Sequence, residues 1–170
     1  GKNPYELLLD EMPDKPTELL TLPYFTPSGT PYFDPVARGA IIGLAMSTSR
    51  GEIMRSLLEG VAMEMRLNVE ILREAGVGVS EFRAVGGGAR SRKWTQLKAD
   101  VLNTPMTTVE TTECGCLGVA MLGCSAKTGE GLESLSARWT RTSGRVEPNP
   151  ENAARYAEKF EIYRGLYPAI

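Results

Sequence analysis

The residues of this chain best suited to chemistry are three consecutive glycines, Gly86, Gly87 and Gly88, followed by Ala89, Ser91 and Arg92. Glycine can take positive φ and leaves the backbone bare of Cβ atoms, so a ring or a phosphate can lie directly against the main chain. The glycines follow a short apolar run, Phe82 to Val85, and precede Trp94, Leu97, Lys98, Val101 and Leu102 at i, i+3, i+4, i+7, i+8. That spacing is one helix face, with the Lys98 stem flanking the stripe and Ser91 as a suitable N-cap. Strand, tight turn and helix in that order predict a nucleotide-sized pocket, with the free N–H groups and positive dipole of the helix start aimed at the glycines. By themselves the glycines fit a plain tight turn equally well. Arg92 opposes the dipole of the helix it starts, which points to a purpose other than helix stability, although a solvated first-turn side chain is the simpler reading.

Other chemistries are narrowed by what the sequence lacks. The chain has no histidine, which removes Ser-His-Asp triads, His-paired cysteines and His-ligated zinc, and leaves a carboxylate, a lysine or a tyrosine as any general base. Cys114, Cys116 and Cys124 fit neither a zinc knuckle nor a C-x-x-C redox pair, and their odd number opposes a disulfide framework; they read as small buried residues on a packed helix. Gly118 to Thr128 is not a P-loop, because Ala126 stands where the glycine before Lys127 is required. Gly86, Gly88 and Ser91 occupy the spacing of a dinucleotide fingerprint, but its last position should be glycine or alanine, and no ribose-binding acid follows in strand context about twenty residues on. At 170 residues, 42% hydrophobic, 24% charged and a net charge of -2, the composition is that of one soluble globular domain, with no basic stripe for nucleic acid and no apolar run of membrane length. A cytoplasmic location is the default expectation.

The elements that position the glycine turn follow from periodicity and breakers. Residues 1–18 read as a connection or surface segment, with Pro4, Pro13 and Pro16 and a short helix at Tyr5 to Glu11. Leu19 to Phe25 reads as a strand limited by Pro23, Thr26 to Arg38 as a proline-broken shaped loop, and Gly39 to Met46 as a second strand. Ser47, Thr48 or Ser49 caps the longest helix, Arg50 to Ala75, whose apolar face is Ile53, Met54, Leu57, Leu58, Val61, Ala62, Met65, Val69 and Leu72, with Gly76 ending it and its charges mostly solvated. After the turn and its helix come a strand at Met106 to Val109 and a helix from about Glu113 to Lys127, capped by Thr111 or Thr112, whose small side chains permit close approach to the sheet. A short helix at Leu132 to Trp139, a turn at Ser143-Gly144, a Pro148 and Pro150 linker and a final helix from Glu151 to Leu166 complete an α/β layer.

Several runs in register resemble the FGGY family of carbohydrate kinases. Gly39-Ala40-Ile41-Ile42-Gly43-Leu44, then Glu52-Ile53, then Ser56-Leu57-Leu58-Glu59-Gly60 is similar to the family's second signature, with Leu57 where a smaller or β-branched residue is usual. Gly29 to Gly39 resembles the loop before it, Val85 to Leu102 with Gly87-Gly88-Ala89 the adenosine-binding turn, and Leu117-Gly118-Val119-Ala120 the small-residue helix. Gly86-Gly87-Gly88-Ala89 followed by Ser91 and Trp94 is nearest the xylulokinase-like branch; glycerol kinases carry an acid at the Gly86 position.

The resemblance implies an RNase H-like, actin-like ATPase domain, α/β with a mixed sheet flanked by helices and lacking its first strands, in which residues 19–170 form the C-terminal, nucleotide-binding domain of a two-domain sugar kinase. It implies ATP and Mg²⁺, a ketose or polyol substrate with xylulose foremost, an N-terminal kinase domain as partner, and pairing of two copies as an option. Gly87, Gly88 and Ala89 then contact adenosine and Arg92 borders the adenine. The general base belongs to the N-terminal domain, so no catalytic or metal-ligating residue is assigned in this chain. Arg38 and Glu59 match the family pattern, but Glu59 reads more simply as the partner of Arg55, and Arg38 as a tie on the proline-rich loop. That loop, Ser28 to Asp34, is expected to face the interdomain cleft. A non-catalytic actin-like module and a different actin-like phosphotransferase are the alternatives.

Overall fold

The computed structural model describes residues 3–111 and 113–169. Its order is helix α1 (Pro4–Glu11), strands β1 (Leu20–Leu22) and β2 (Ala40–Ile42), helix α2 (Arg50–Glu74), strand β3 (Phe82–Ala84), a 3-10 turn (Gly87–Arg90), helix α3 (Arg92–Leu102), strand β4 (Met106–Val109), helices α4 (Cys114–Thr128) and α5 (Leu132–Trp139), strand β5 (Thr142–Val146), and helices α6 (Pro150–Arg164) and α7 (Leu166–Ala169). β1 and β2 pair antiparallel, with Thr21 opposite Ile41. The second sheet is mixed, in the order β3-β4-β5, with β3 parallel and β5 antiparallel to β4. The parallel pair requires a crossover, and α3 supplies it.

Helix ends follow local chemistry closely. Ser49 caps α2 through a reciprocal capping box with Glu52, which satisfies two otherwise orphaned amides. At the other end Gly76, at φ 84°, donates to Arg73 O at 2.9 Å while Val77 donates to Leu72 O at 2.9 Å, a Schellman closure. Asn149 caps α6 by accepting from Glu151 N and Asn152 N. Asn3 caps α1, with Pro4 in the first turn.

The buried face of α2 differs from the apolar face that periodicity predicts. Arg55, Ser56, Glu59, Gly60 and Met63 are buried, whereas Val61 is 42% and Leu72 45% exposed. The reason is tertiary: residues 13–21 and α6 cover this stripe and satisfy its polar groups. Glu59 accepts from Thr17 N at 3.0 Å, Thr17 Oγ1 at 2.8 Å, Arg55 Nε at 3.0 Å, Tyr156 OH at 2.8 Å and Lys159 Nζ at 2.6 Å. Arg55 also donates to Pro13 O at 2.6 Å and to the Tyr156 hydroxyl at 2.9 Å. A Cβ on Gly60 would fall on the Thr21 carbonyl, and one on Gly51 on the Glu11 carbonyl, so both glycines let backbone cross α2 closely.

The main core gathers Leu22, Tyr24, Met63, Leu97, Val101, Tyr156, Phe160 and Tyr163 between β1, α2, α3 and α6. A second cluster, Val69, Ala99, Leu102, Met106 and Val146, seals the sheet against α2 and α3. Asp100 is buried and accepts from Gln96 Nε2 at 2.8 Å, Asn149 N at 2.8 Å and Asn152 Nδ2 at 3.0 Å. It thereby anchors α3 to the N-terminus of α6, where the helix dipole favours an anion.

Four further expectations are corrected. Ser143-Gly144 lies inside β5 instead of forming a turn. α4 has no buried residue and packs mainly on α5, with Val119 70% and Leu122 58% exposed; its small side chains leave room between it and the sheet. Its cysteines are accordingly not a buried set: Cys116 is exposed and Cys114 and Cys124 are half-buried, all as free thiols. The N-cap of α4 is Glu113, without a side-chain bond. Thr111 is therefore not the cap, and Thr112 lies outside the described residues. Among the described residues no helix is long and apolar enough to cross a membrane.

Candidate functional site

The glycine turn is built as strand, turn and helix. β3 delivers the chain to Gly86, which sits at φ 80°, a conformation that L side chains rarely adopt. The Ala89 amide closes the turn on Gly86 O at 3.1 Å. Ser91, in extended conformation, then starts α3 by accepting the Trp94 amide on its hydroxyl at 3.2 Å. Its carbonyl takes the Thr95 amide at 2.9 Å and the Thr95 hydroxyl at 3.0 Å. The first turn of α3 carries no acid, so the positive end of the helix and the Arg92 guanidinium stand uncompensated in that turn.

A cleft of about 480 Å³ opens beside this turn. One wall is Gly86, Ala89, Arg90, Arg92 and Thr95; the other is the end of β4, Thr108 to Glu110, with Ser143 to Val146 of β5. Of the residues assigned to adenosine, Ala89 and Arg92 line the cleft, Gly87 and Gly88 belong to the adjoining 3-10 turn without lining it, and Gly86 takes a place on the wall. The β5 wall is fixed by Thr108 Oγ1 and Ser143 Oγ at 2.9 Å, and by Arg145, which pairs with Glu147 at 2.6 Å and Glu81 at 2.7 Å. Those two carboxylates raise the Arg145 pKa, the Glu147 hydrogen bond being the larger cause. This wall was not foreseen, because Ser-Gly reads locally as a turn; the Thr142 to Val146 run around it is the signal that pairing with β4 brings out.

A smaller cavity of about 200 Å³ lies between the sheet and α4, lined by Arg83, Val85 and Val109 from the sheet and Cys114, Leu117 and Met121 from the helix. Strand alternation puts Arg83 and Val85 on the face opposite Phe82, which packs in the second core cluster. This second cavity is largely apolar, and Val109 lines both it and the larger cleft.

Glu59 and Arg38 are placed away from the glycine turn. Glu59 is the buried partner of Arg55 described above, so its charge is absorbed within the fold. Arg38 donates to Val36 O at 3.0 Å and Ala37 O at 3.1 Å, tying down the proline-rich loop. Asp34 closes that loop by accepting the Val36 amide at 2.8 Å and the Tyr167 hydroxyl, which together hold its carboxyl below the usual range, Tyr167 being the larger cause.

Fold and turn together define an actin-like α/β domain with a cleft at the C-terminal end of its parallel strands. The chain belongs to the FGGY family of carbohydrate kinases: the model of that family's C-terminal domain matches residues 2–127. It is 31% identical over 150 residues to the xylulose kinase of Bacillus subtilis strain 168, which covers 88% of this chain and 30% of that protein. A crystal structure of a xylulose kinase from Brucella ovis superposes with a TM-score of 0.87 at 33% identity, over 96% of this chain and 34% of that one. Plasmodium falciparum glycerol kinase, solved with ADP, shares the fold with a TM-score of 0.79 at 23% identity, over 97% of this chain and 34% of that one. The chain thus spans about a third of the length of the relatives it matches.

Proposed function

We propose that residues 19–170 are the C-terminal, ATP-binding domain of a cytoplasmic two-domain sugar kinase, with 1–18 leading into it, and that the whole enzyme transfers the γ-phosphoryl of ATP to a hydroxyl of a ketose or polyol. The observation that carries the reading is the bare glycine turn, held by Gly86 at φ 80° against a cleft with Ala89 and Arg92 on its wall. Xylulose is the favoured substrate, on the strength of relatives that are xylulose kinases.

In this reading Gly87 and Gly88 give the turn its close backbone, Ala89 meets the adenosine and Arg92 borders the adenine. The ADP bound by the P. falciparum relative supports the choice of nucleotide. Phosphoryl transfer needs positioning and charge stabilisation more than covalent chemistry from the protein. The part of this chain is to hold the nucleotide while closure against the first domain, which carries the general base and most sugar contacts, excludes water. Mg²⁺, when bound with the nucleotide, would offset the charge of the phosphates.

The test is a coupled ADP-release assay on the longer protein carrying this chain, with ATP, Mg²⁺ and a panel of pentuloses, hexuloses, aldonates and polyols, run beside the chain alone. Turnover with one sugar by the longer protein and none by the chain is expected. Nucleotide binding without turnover across the panel would overturn the kinase reading in favour of a non-catalytic module.

A further inference from the structure

Trp94 occupies an unusual place beside the glycine turn. It is the third residue of α3, and helical side chains lean toward the N-terminus, over the turn that precedes their own. Its indole accordingly lies against the glycine turn: a Cβ built on Gly88 would stand 3.4 Å from both Cδ1 and Nε1 of the ring. The same ring packs on the main core, so it bridges that core and a segment that has few contacts of its own. The Lys98 ammonium lies 4.8 Å from the ring centroid, a cation–π contact that holds the indole plane. Burial pushes the Lys98 amine below its usual range, and among the described residues no carboxylate pairs with it, so the ring is its charge partner.

We propose that Trp94 is the positioning residue of the nucleotide turn: its indole edge sets the height of the Gly87-Gly88 backbone against the cleft, and through it the core fixes the surface on which the nucleotide lies. The inference rests on the nucleotide reading of that cleft. It predicts that removing the indole weakens nucleotide binding out of proportion to its effect on stability, because small misplacements of a binding surface cost far more than the contacts they remove.

The experiment is a calorimetric titration of this chain with MgADP, in parallel with thermal unfolding, for the unmodified chain and for Trp94→Leu, Trp94→Phe and Val101→Ala. Val101 is fully buried on the same helix and serves as the stability control. Trp94→Leu should raise Kd about tenfold, Trp94→Phe, which keeps a ring but loses the five-membered edge, about threefold, and Val101→Ala less than about twofold despite a lower Tm. A second reading uses Trp139→Phe, which leaves Trp94 as the only indole: its emission should change saturably with MgADP at the calorimetric Kd. An unchanged Kd in Trp94→Leu, an equal loss in Val101→Ala, or an unresponsive Trp94 emission while calorimetry reports binding would each overturn the proposal and leave the nucleotide reading standing. Absence of MgADP binding to the unmodified chain would overturn the nucleotide reading and this inference with it.

Discussion

Glu59 and Gly86 stand in opposite kinds of surroundings. Around Glu59, charged side chains are driven inside and every one is answered: Arg55, Lys159, Tyr156 and Thr17 converge on one carboxylate. Around Gly86, side chains are removed, the backbone is held at positive φ, and Arg92 faces a cleft without an acid in its turn. A charge that the fold satisfies is spent on architecture; a helix start with no acid in its first turn, beside bare backbone, is open to a ligand. Both regions carry residues of the family signature, so signature membership alone does not separate them. Their partners do.

The largest effect is expected at the answered site. Glu59→Ala leaves the buried Arg55 and Lys159 without their carboxylate and should cost about 3–5 kcal/mol, read by urea unfolding. The same variant, while folded, should bind MgADP with unchanged affinity; a loss of binding equal to that of a turn variant would erase the distinction between the two regions.

Alkaline pH probes the same interior. Burial, and then Glu59, raise the Tyr156 phenol; burial, and then the Glu64 hydrogen bond, raise Tyr163; burial, and then the Glu64 carboxylate, raise Tyr24. Folded-state values above the unfolded value of about 10 mean that the unfolded chain loses protons first, so stability is complete below about pH 10 and falls as pH rises beyond it. Lys159 and Lys98 act in the opposite sense, since burial lowers both amines, for Lys159 against the pull of Glu59, and the three phenols outweigh them. Unfolding curves between pH 9 and pH 11, a range set by the phenol value of about 10, should show a decline; a flat or rising profile would contradict the buried-phenol account.

A smaller effect is expected for Gly86→Ala. A Cβ there meets nothing within 4 Å, so the cost is the positive φ alone, about 1–2 kcal/mol in unfolding, together with weaker MgADP binding as the turn shifts. Smallest is Arg50→Ala. It removes an exposed ion pair with Glu11 and should change stability by about 0–1 kcal/mol and binding not at all, measured by the same unfolding and titration.

The difference between the two regions also explains what was legible in the sequence. The glycine turn, the Ser91 cap and the Gly76 stop are local: residue type fixes φ or supplies a capping oxygen within a few positions, and the structure shows them where expected. The buried face of α2 is not local. Arg55, Ser56 and Glu59 break an apolar pattern; the burial of Arg55 and Glu59 depends on Tyr156 and Lys159, about a hundred positions later, and that of Ser56 on Thr21 of β1. A helical wheel assigns such residues to solvent. β5 is hidden for a related reason, since Gly144 opposite Thr108 is a strand residue only because β4 pairs with it. For α4 the small residues suggested close packing, but small side chains permit approach without enforcing it. The cleft was therefore half legible: the glycine turn beside it followed from local chemistry and its wall residues Ala89 and Arg92 from the family resemblance, while its β5 wall, Ser143 to Val146, required the tertiary pairing.

The most direct test of the central claim, that the glycine turn and not the charged cluster receives the ligand, is amide hydrogen exchange of this chain with and without saturating MgADP. The account predicts added protection in the turn and helix start, residues 86–95, and along the facing strand ends at Thr108 to Glu110 and Ser143 to Val146, with no change around Thr17, Glu59 and Lys159. Protection centred on that cluster, or binding that leaves residues 86–95 unchanged, would contradict it.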